Sequence, residues 1–419
     1  MKTILYIQHT GALGGSAMSL LYTVEHLDKH KYHPIIALTE PNEKIKKLYN
    51  TKDVKTIDWP GISAFYHTTA AWGSIKAPLS TIHIFIQILM WRKSERRTLE
   101  LIKHINPDIV HLNSATLCPS ARALLNSKRP FFWHVRESPA RGYFGLRLNL
   151  MRRLFLQNGK RMIFLSKADQ EAWTNSNTGQ ILPNFVNSDR FAKYLKGKTE
   201  ARKLLGLRDC QKVILYCGGL SWIKGIFILI PALAKIREKY PDIICLMPGI
   251  EAGITESFWR KPIEFLLPIF GHGTTRQRAR EAINRHNLNN SIREAGFVES
   301  IEDWIAASDL LVFPATHPHF ARPVIEASTA GIPVVATKTR GISETLIDGH
   351  TGLITKKNDS KALANAIAKI LSNPEFSKQL GQNGRIFARE NFCAEKIIAR
   401  LLELYRKEAK NDSNKNRSV

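Results

Sequence analysis

Several things are scarce in this chain. Its 419 residues include only five cysteines. Cys118, Cys210, Cys217, Cys245 and Cys393 are odd in number and scattered, without the close pairs of a metal site. A disulfide scaffold and a zinc module are thereby excluded, and buried free thiols in a reducing compartment are expected. Long apolar runs are also missing: no window reaches the ~18 consecutive residues of a spanning helix. The start of the chain does not read as a signal peptide, because Ile4–Ile7 is a short strand-like run that enters a glycine-rich loop. Acid is short as well, with 36 Asp/Glu against 61 Lys/Arg and a net charge of +25.

That basic excess is uneven. Residues 1–200 hold 29 Lys/Arg against 14 Asp/Glu, whereas residues 201–350 hold 18 against 15. The basic surface therefore belongs mainly to the first half, and its usual partners are nucleic acid or an anionic membrane. No helix-turn-helix, zinc finger or RNA-binding aromatic motif is present, so no nucleic-acid partner is expected. Two stretches in this half mix large apolar residues with Arg and Lys: Ser80–Lys103 and Arg141–Arg161. Each suits a helix lying in an anionic membrane interface, or equally a core helix with a charged outer face.

What is present is regular. Short Val/Ile/Leu/Phe runs alternate with helical patterns. In the first half they are Ile4–Gln8, Ile35–Leu38, Asp108–Leu112, Phe131–Val135 and Met162–Ser166. In the second half they are Val213–Gly218, Ile243–Pro248, Ile292–Val298, Leu310–Pro314, Pro333–Thr337 and Gly352–Thr355. Continuous apolar strands imply parallel sheets buried on both faces, and alternation with helices implies βαβ units. The fold class is α/β, with two doubly wound parallel sheets in series. The first domain spans 1–190 and the second 191–384, joined near Ile181–Lys198. A C-terminal helix at about 385–410 packs back on the first domain, and 411–419 forms a disordered tail. Ligands of such sheets bind at the carboxyl ends of the strands, so with two sheets the cleft between them is the expected site.

The densest cluster of candidate residues is Val312–Glu344, VFPATHPHFARPVIEASTAGIPVVATKTRGISE. It reads as strand, loop, helix, strand, loop. Pro323 suits the first helical position because it has no N–H to lose there, and the N–H groups beyond it would face the loop and attract phosphate. Glu326, one turn in, can accept two hydrogen bonds from a ribose diol. A glutamate near a helix start can equally do no more than offset the dipole. Lys224 follows Gly218-Gly219 at a strand end and can meet a diphosphate. Gly11–Ser16, with Gly14, Gly15 and Ser16 at its end, opens a helix after the first strand and permits close approach of a ligand. The Gly-x-Gly-x-x-Gly fingerprint is absent, so an NAD site is not indicated. His134 sits at the end of a strand, with Glu137 able to orient its imidazole. No Asp-x-Asp is present to hold Mg or Mn beside a diphosphate.

Phe320, Glu326, Ala327, Gly331, Pro333, Val334, Gly341 and Glu344 fall in register with the nucleotide-sugar signature of the group 1 glycosyl transferases, which the chain resembles. Thr10–Ser19, Tyr216–Gly225, Glu294–Val298 and Asn383–Tyr405 extend the resemblance over most of the sequence. It implies a GT-B fold and transfer, with retention, of a sugar from a UDP- or GDP-sugar to a lipid-linked or glycan acceptor. It also implies no metal and no other cofactor. The implied setting is bacterial cell-surface glycan synthesis, such as lipopolysaccharide or polysaccharide assembly, in the cytoplasm on the inner face of the plasma membrane.

The roles implied by the resemblance are specific. Glu326 binds ribose, and Lys224, with Arg322, binds the diphosphate. His319 and the Phe320–Ala321 backbone meet the sugar, and His134 lies near the reacting carbon. Two positions depart from the pattern. Pro318 stands where a first glutamate is usual, flanked by His317 and His319. Gly219 stands where an arginine is usual, and Arg322 is the substitute cation. These departures leave open a GT-B protein that binds ligand without transferring sugar. A nucleotide-sugar epimerase on this fold lacks recognisable carboxylates here.

Overall fold

The computed structural model describes residues 1–11, 13–65, 67, 85–127, 129–140, 145–188, 191, 197–249, 275–298 and 300–415, with only the backbone at 146, 147, 150 and 409–415. The chain forms two compact units, Met1–Asn184 with Glu395–Val419, and Phe185–Ala394. The boundary falls a few residues before the one read from sequence. The return to the first unit begins at Glu395, because the helix Pro374–Asn391 belongs to the second. The last helix, Ala394–Lys415, continues through five residues that were expected to be tail.

The first unit is built on seven strands: β1 (Lys2–Gln8), β2 (Tyr32–Leu38), β3 (Lys55–Asp58), β4 (Ile109–Leu112), β5 (Phe131–Val135), β6 (Met162–Phe164) and β7 (Gln180–Ile181). Their order is β3-β2-β1-β4-β5-β6-β7, and all pair in parallel. β1, β4 and β5 read as unbroken apolar runs because helices cover both faces of the sheet centre. On one side Trp133, Phe155 and Trp173 form a stack, with Phe155 and Trp173 parallel at 4.5 Å between ring centres. β3 and β7 escaped the sequence reading. The first is a half-exposed edge strand, KTID, and the second has only two residues.

The second unit carries β8 (Val213–Leu215), β9 (Ile244–Pro248), β10 (Ile292–Gly296), β11 (Leu310–Phe313), β12 (Val334–Thr337) and β13 (Leu353–Thr355). Their order is β10-β9-β8-β11-β12-β13, again parallel. Two apolar layers flank this sheet, one led by Val324 and Ile325 and the other by Leu229, Leu233 and Ile367. In each sheet the winding reverses once, between β1 and β4 and between β8 and β11. In open α/β sheets the crevice at such a reversal is where ligands bind. Most of Phe258–Arg280 lies outside the described residues, as do parts of Ser80–Lys103 and Arg141–Arg161.

Candidate active site

The loops leaving β8 and β11 meet at the reversal of the second sheet. Gly225 closes the first of them at φ +87°, and a Cβ there would lie 1.8 Å from the Pro314 carbonyl oxygen. Only glycine allows that approach. Thr316 locks the contact: its N–H donates to the Ile223 carbonyl at 2.9 Å and its hydroxyl to the Trp222 carbonyl at 3.0 Å. Trp222 and His317 meet edge to face at 4.5 Å. The Tyr216–Gly225 and Pro314–Ala321 segments thus form one rigid piece.

This piece gathers Lys224, Cys217, His319 and Glu326. Lys224 is half-buried, and desolvation pulls its ammonium down to about 8, with the Cys217 thiol pushing the other way. Cys217 is raised by burial and then by the Glu326 carboxylate, while Lys224 lowers it, so the thiol feels both charges. His319 is held neutral, well below the usual imidazole range, by burial and by the Lys224 charge. Its Nδ1 lies 2.9 Å from the His317 carbonyl and donates to it, which leaves Nε2 as a lone-pair acceptor. That Nε2 is buried and has no protein partner. The Tyr216 hydroxyl is likewise buried without a partner, and its ring lies where a Cβ on Gly218 would go, 2.2 Å away.

The start of the helix Arg322–Ala330 differs from expectation. Arg322, not Pro323, is the first helical residue. The Val324 and Ile325 N–H groups, expected to face the loop, both reach the Ala321 carbonyl, and Arg322 N–H reaches that of Phe320. Among the described residues, the N–H groups of His319, Phe320 and Ala321 have no protein acceptor. The donors sit in the loop before the helix. Arg322 also has a different partner from the one read from sequence. Its Nε donates to Glu326 Oε1 at 2.7 Å, an i,i+4 ion pair with both side chains nearly buried. The guanidinium therefore holds the ribose-binding candidate through its Nε. Gly219 adopts φ +56°, so an arginine in this conformation would be strained.

In the first unit, Gly14 and Gly15 have open space around the position of a Cβ, whereas a Cβ on Gly11 would lie 2.4 Å from the Glu40 carbonyl oxygen. Gly11 is thus the structural glycine, and Gly14, Gly15 and Ser16 leave room at the start of the helix Gly15–Glu25. Beside them a polar rail crosses the strand ends. Asn113 donates to Gln8 Oε1 at 2.6 Å, and Arg136 donates to Asn113 at 2.5 Å and to Asn184 at 2.8 Å. Sequence reasoning missed this rail; amide and guanidinium residues just past the apolar runs of β1, β4 and β5 were its only signal.

His134 does not stand open at its strand end. It is buried, its Nδ1 lies 3.3 Å from His111 Nε2, and its own Nε2 has no partner. His111 in turn meets the Tyr405 hydroxyl at 2.6 Å, and Tyr405 meets Tyr6 at 3.3 Å. Burial first, then Arg136, holds His111 down at about 3 and His134 well below its usual value. Glu137 does not orient His134. It accepts from Ser114 Oγ at 2.7 Å and Ala115 N–H at 2.8 Å, with His9 at 3.9 Å.

Residues 197–387 match the family model described as glycosyl transferases group 1. Among curated proteins, the chain is 26% identical to an uncharacterized glycosyltransferase of Methanocaldococcus jannaschii over 52% of the chain and 60% of that protein. It is 24% identical to the lipopolysaccharide core biosynthesis mannosyltransferase LpsB of Rhizobium meliloti over 76% of the chain and 82% of that protein. The chain thus spans less than two thirds of the first of these relatives and most of the second. Among solved structures, Anabaena HepE in complex with UDP and glucose superposes with a TM-score of 0.72 at 20% identity, covering 96% of this chain and 99% of that one. The two parallel sheets are those of the GT-B fold.

Proposed function

We propose that this chain, which belongs through residues 197–387 to the group 1 glycosyl transferases, moves a sugar from a nucleotide diphosphate donor to an acceptor with retention of configuration. The observation that carries this reading is the convergence of Lys224, His319 and Glu326 at the reversal of the second sheet, beside three N–H groups without acceptors among the described residues. Glu326, oriented by Arg322, takes the ribose diol. Lys224 and the His319–Ala321 N–H groups take the diphosphate, and their charge and dipoles stand in for a metal. His319 Nε2 accepts from a sugar hydroxyl. The bond from C1 to the phosphate oxygen breaks and the bond from C1 to the acceptor oxygen forms on the same face, with the acceptor proton passing to the leaving phosphate.

The acceptor in this reading is lipid-linked or a polysaccharide, met at the inner face of the plasma membrane in cell-surface glycan synthesis. The mannosyltransferase LpsB and the HepE complex with UDP and glucose support that setting and donor class by analogy. A screen of UDP- and GDP-sugars for nucleotide diphosphate release tests transfer. Release from one donor, stimulated by acceptor and unaffected by EDTA, is expected. Pro318 and the left-handed Gly219 favour a second reading, a donor-binding protein without transfer. Nucleotide binding without release from any donor would select it.

A further inference from the structure

One helix of the first unit begins inside out. Residues 85–89 are helical and run into the helix Trp91–Ile105, with Met90 N–H bonded to the Ile86 carbonyl and Ser94 N–H to that of Met90, both at 2.9 Å. Its inward face carries Gln87, Ser94 and Thr98, all buried. Ser94 Oγ accepts from Ser63 N–H at 3.0 Å, and Thr98 meets Ser120 at 2.8 Å on the neighbouring helix Cys118–Asn126. Small polar residues therefore make the packing at this end, whereas Leu101 and Ile102, further along, are buried in the core. The large apolar residues at this end point out: Phe85 is 61% exposed, Ile86 43%, Ile88 53% and Leu89 65%. A helix stabilised only by its own core would have the reverse pattern, since each exposed apolar side chain forgoes burial of about 25 cal/mol per Å².

Charge says what covers this face. Arg92, Lys93 and Arg96 follow directly and are exposed, and among the described residues none of them forms an ion pair. The second basic stretch behaves differently. In the helix Leu146–Asn158, Met151, Leu154 and Phe155 are buried in the core, and Leu156 is the large apolar side chain that is exposed among the described ones. Apolar residues in a row, bordered by unpaired cations, match the acyl boundary and phosphate layer of an anionic bilayer. We propose that Phe85–Arg96 is a membrane-docking surface, with Phe85, Ile86, Ile88 and Leu89 entering the interface and Arg92, Lys93 and Arg96 on lipid phosphates. It shares no residue with the donor site, so either reading can fail alone.

Flotation of the full chain with phosphatidylcholine vesicles, with and without phosphatidylglycerol, tests it. Wild type is expected to float only with the anionic vesicles. The double variants F85S/L89S and R92E/R96E should each lose binding by about tenfold or more. The variant L156S, on the other helix, should float like wild type. All altered residues are exposed, so unchanged melting temperatures and unchanged UDP binding separate lost docking from lost folding. Flotation of F85S/L89S at the wild-type level overturns the proposal. So does a wild type that ignores charge or binds neither vesicle. Apolar variants that change the oligomeric state of a chain without vesicle affinity would give this face to a second copy instead.

Discussion

The two sheets reverse in the same way, yet their reversals are furnished oppositely. At the first, Gln8, Asn113, Arg136 and Asn184 satisfy one another in a rail. At the second, Lys224 is half-buried and poorly solvated, and among the described residues His319 Nε2 has no partner and three consecutive N–H groups have no acceptor. A satisfied rail is stable as it stands. Unmet donors and a desolvated cation are costly unless an anion completes them. In the reading proposed above, this difference is why the phosphate-bearing ligand belongs to the second sheet.

That contrast can be broken by substitution. The largest expected effect is at Gly225. Valine there combines a left-handed backbone with collision against Pro314, so G225V should destabilise the second unit by about 3 kcal/mol or more, read by thermal or urea unfolding. G14A, in open space, should leave unfolding unchanged. Next is Arg322→Ala, which strips the nearly buried Glu326 of its Arg322 contact and should cost about 3 kcal/mol of stability. Glu326→Gln keeps the shape and should cost less stability while weakening nucleotide binding.

A smaller effect sharpens the first unit. Tyr405→Phe removes the hydroxyl between Tyr6 and His111 and should cost about 1 kcal/mol. The same cluster sets a pH dependence. His111 and His134 titrate below their unfolded value of 6.5, so they take up protons more readily when unfolded. Their contribution to stability is present above pH 6.5 and is lost as pH falls from there toward about 3. Urea midpoints measured from pH 7.5 downward should fall, and His111→Gln should flatten that slope.

The sheets were legible because their central strands are unbroken apolar runs, and β3 and β7 were not, because a half-exposed edge and a two-residue strand carry no such run. Lys224 and Glu326 could be singled out because one lies on the loop after β8 and the other in the helix after β11. The Arg322–Glu326 pair has i,i+4 spacing, yet sequence gives no reason to prefer that partner over a phosphate. The burial of His134 was not legible for a different reason. It meets His111, whose own partner Tyr405 lies 294 residues further along, and no local pattern encodes that chain of contacts. The two basic stretches looked alike in composition, and the structure tells them apart by the exposed Phe85, Ile86, Ile88 and Leu89 of one and the buried Met151, Leu154 and Phe155 of the other.

The most direct test is calorimetric titration of UDP and GDP into wild type and Lys224→Ala across a pH series. One of the two nucleotides should bind wild type, and K224A should lose about 2 kcal/mol of that affinity, roughly thirtyfold. Wild-type affinity should also decline as pH rises through about 8, where the free lysine gives up its proton. Binding of neither nucleotide to wild type, or equal binding to K224A, would contradict the placement of the donor diphosphate at the reversal of the second sheet.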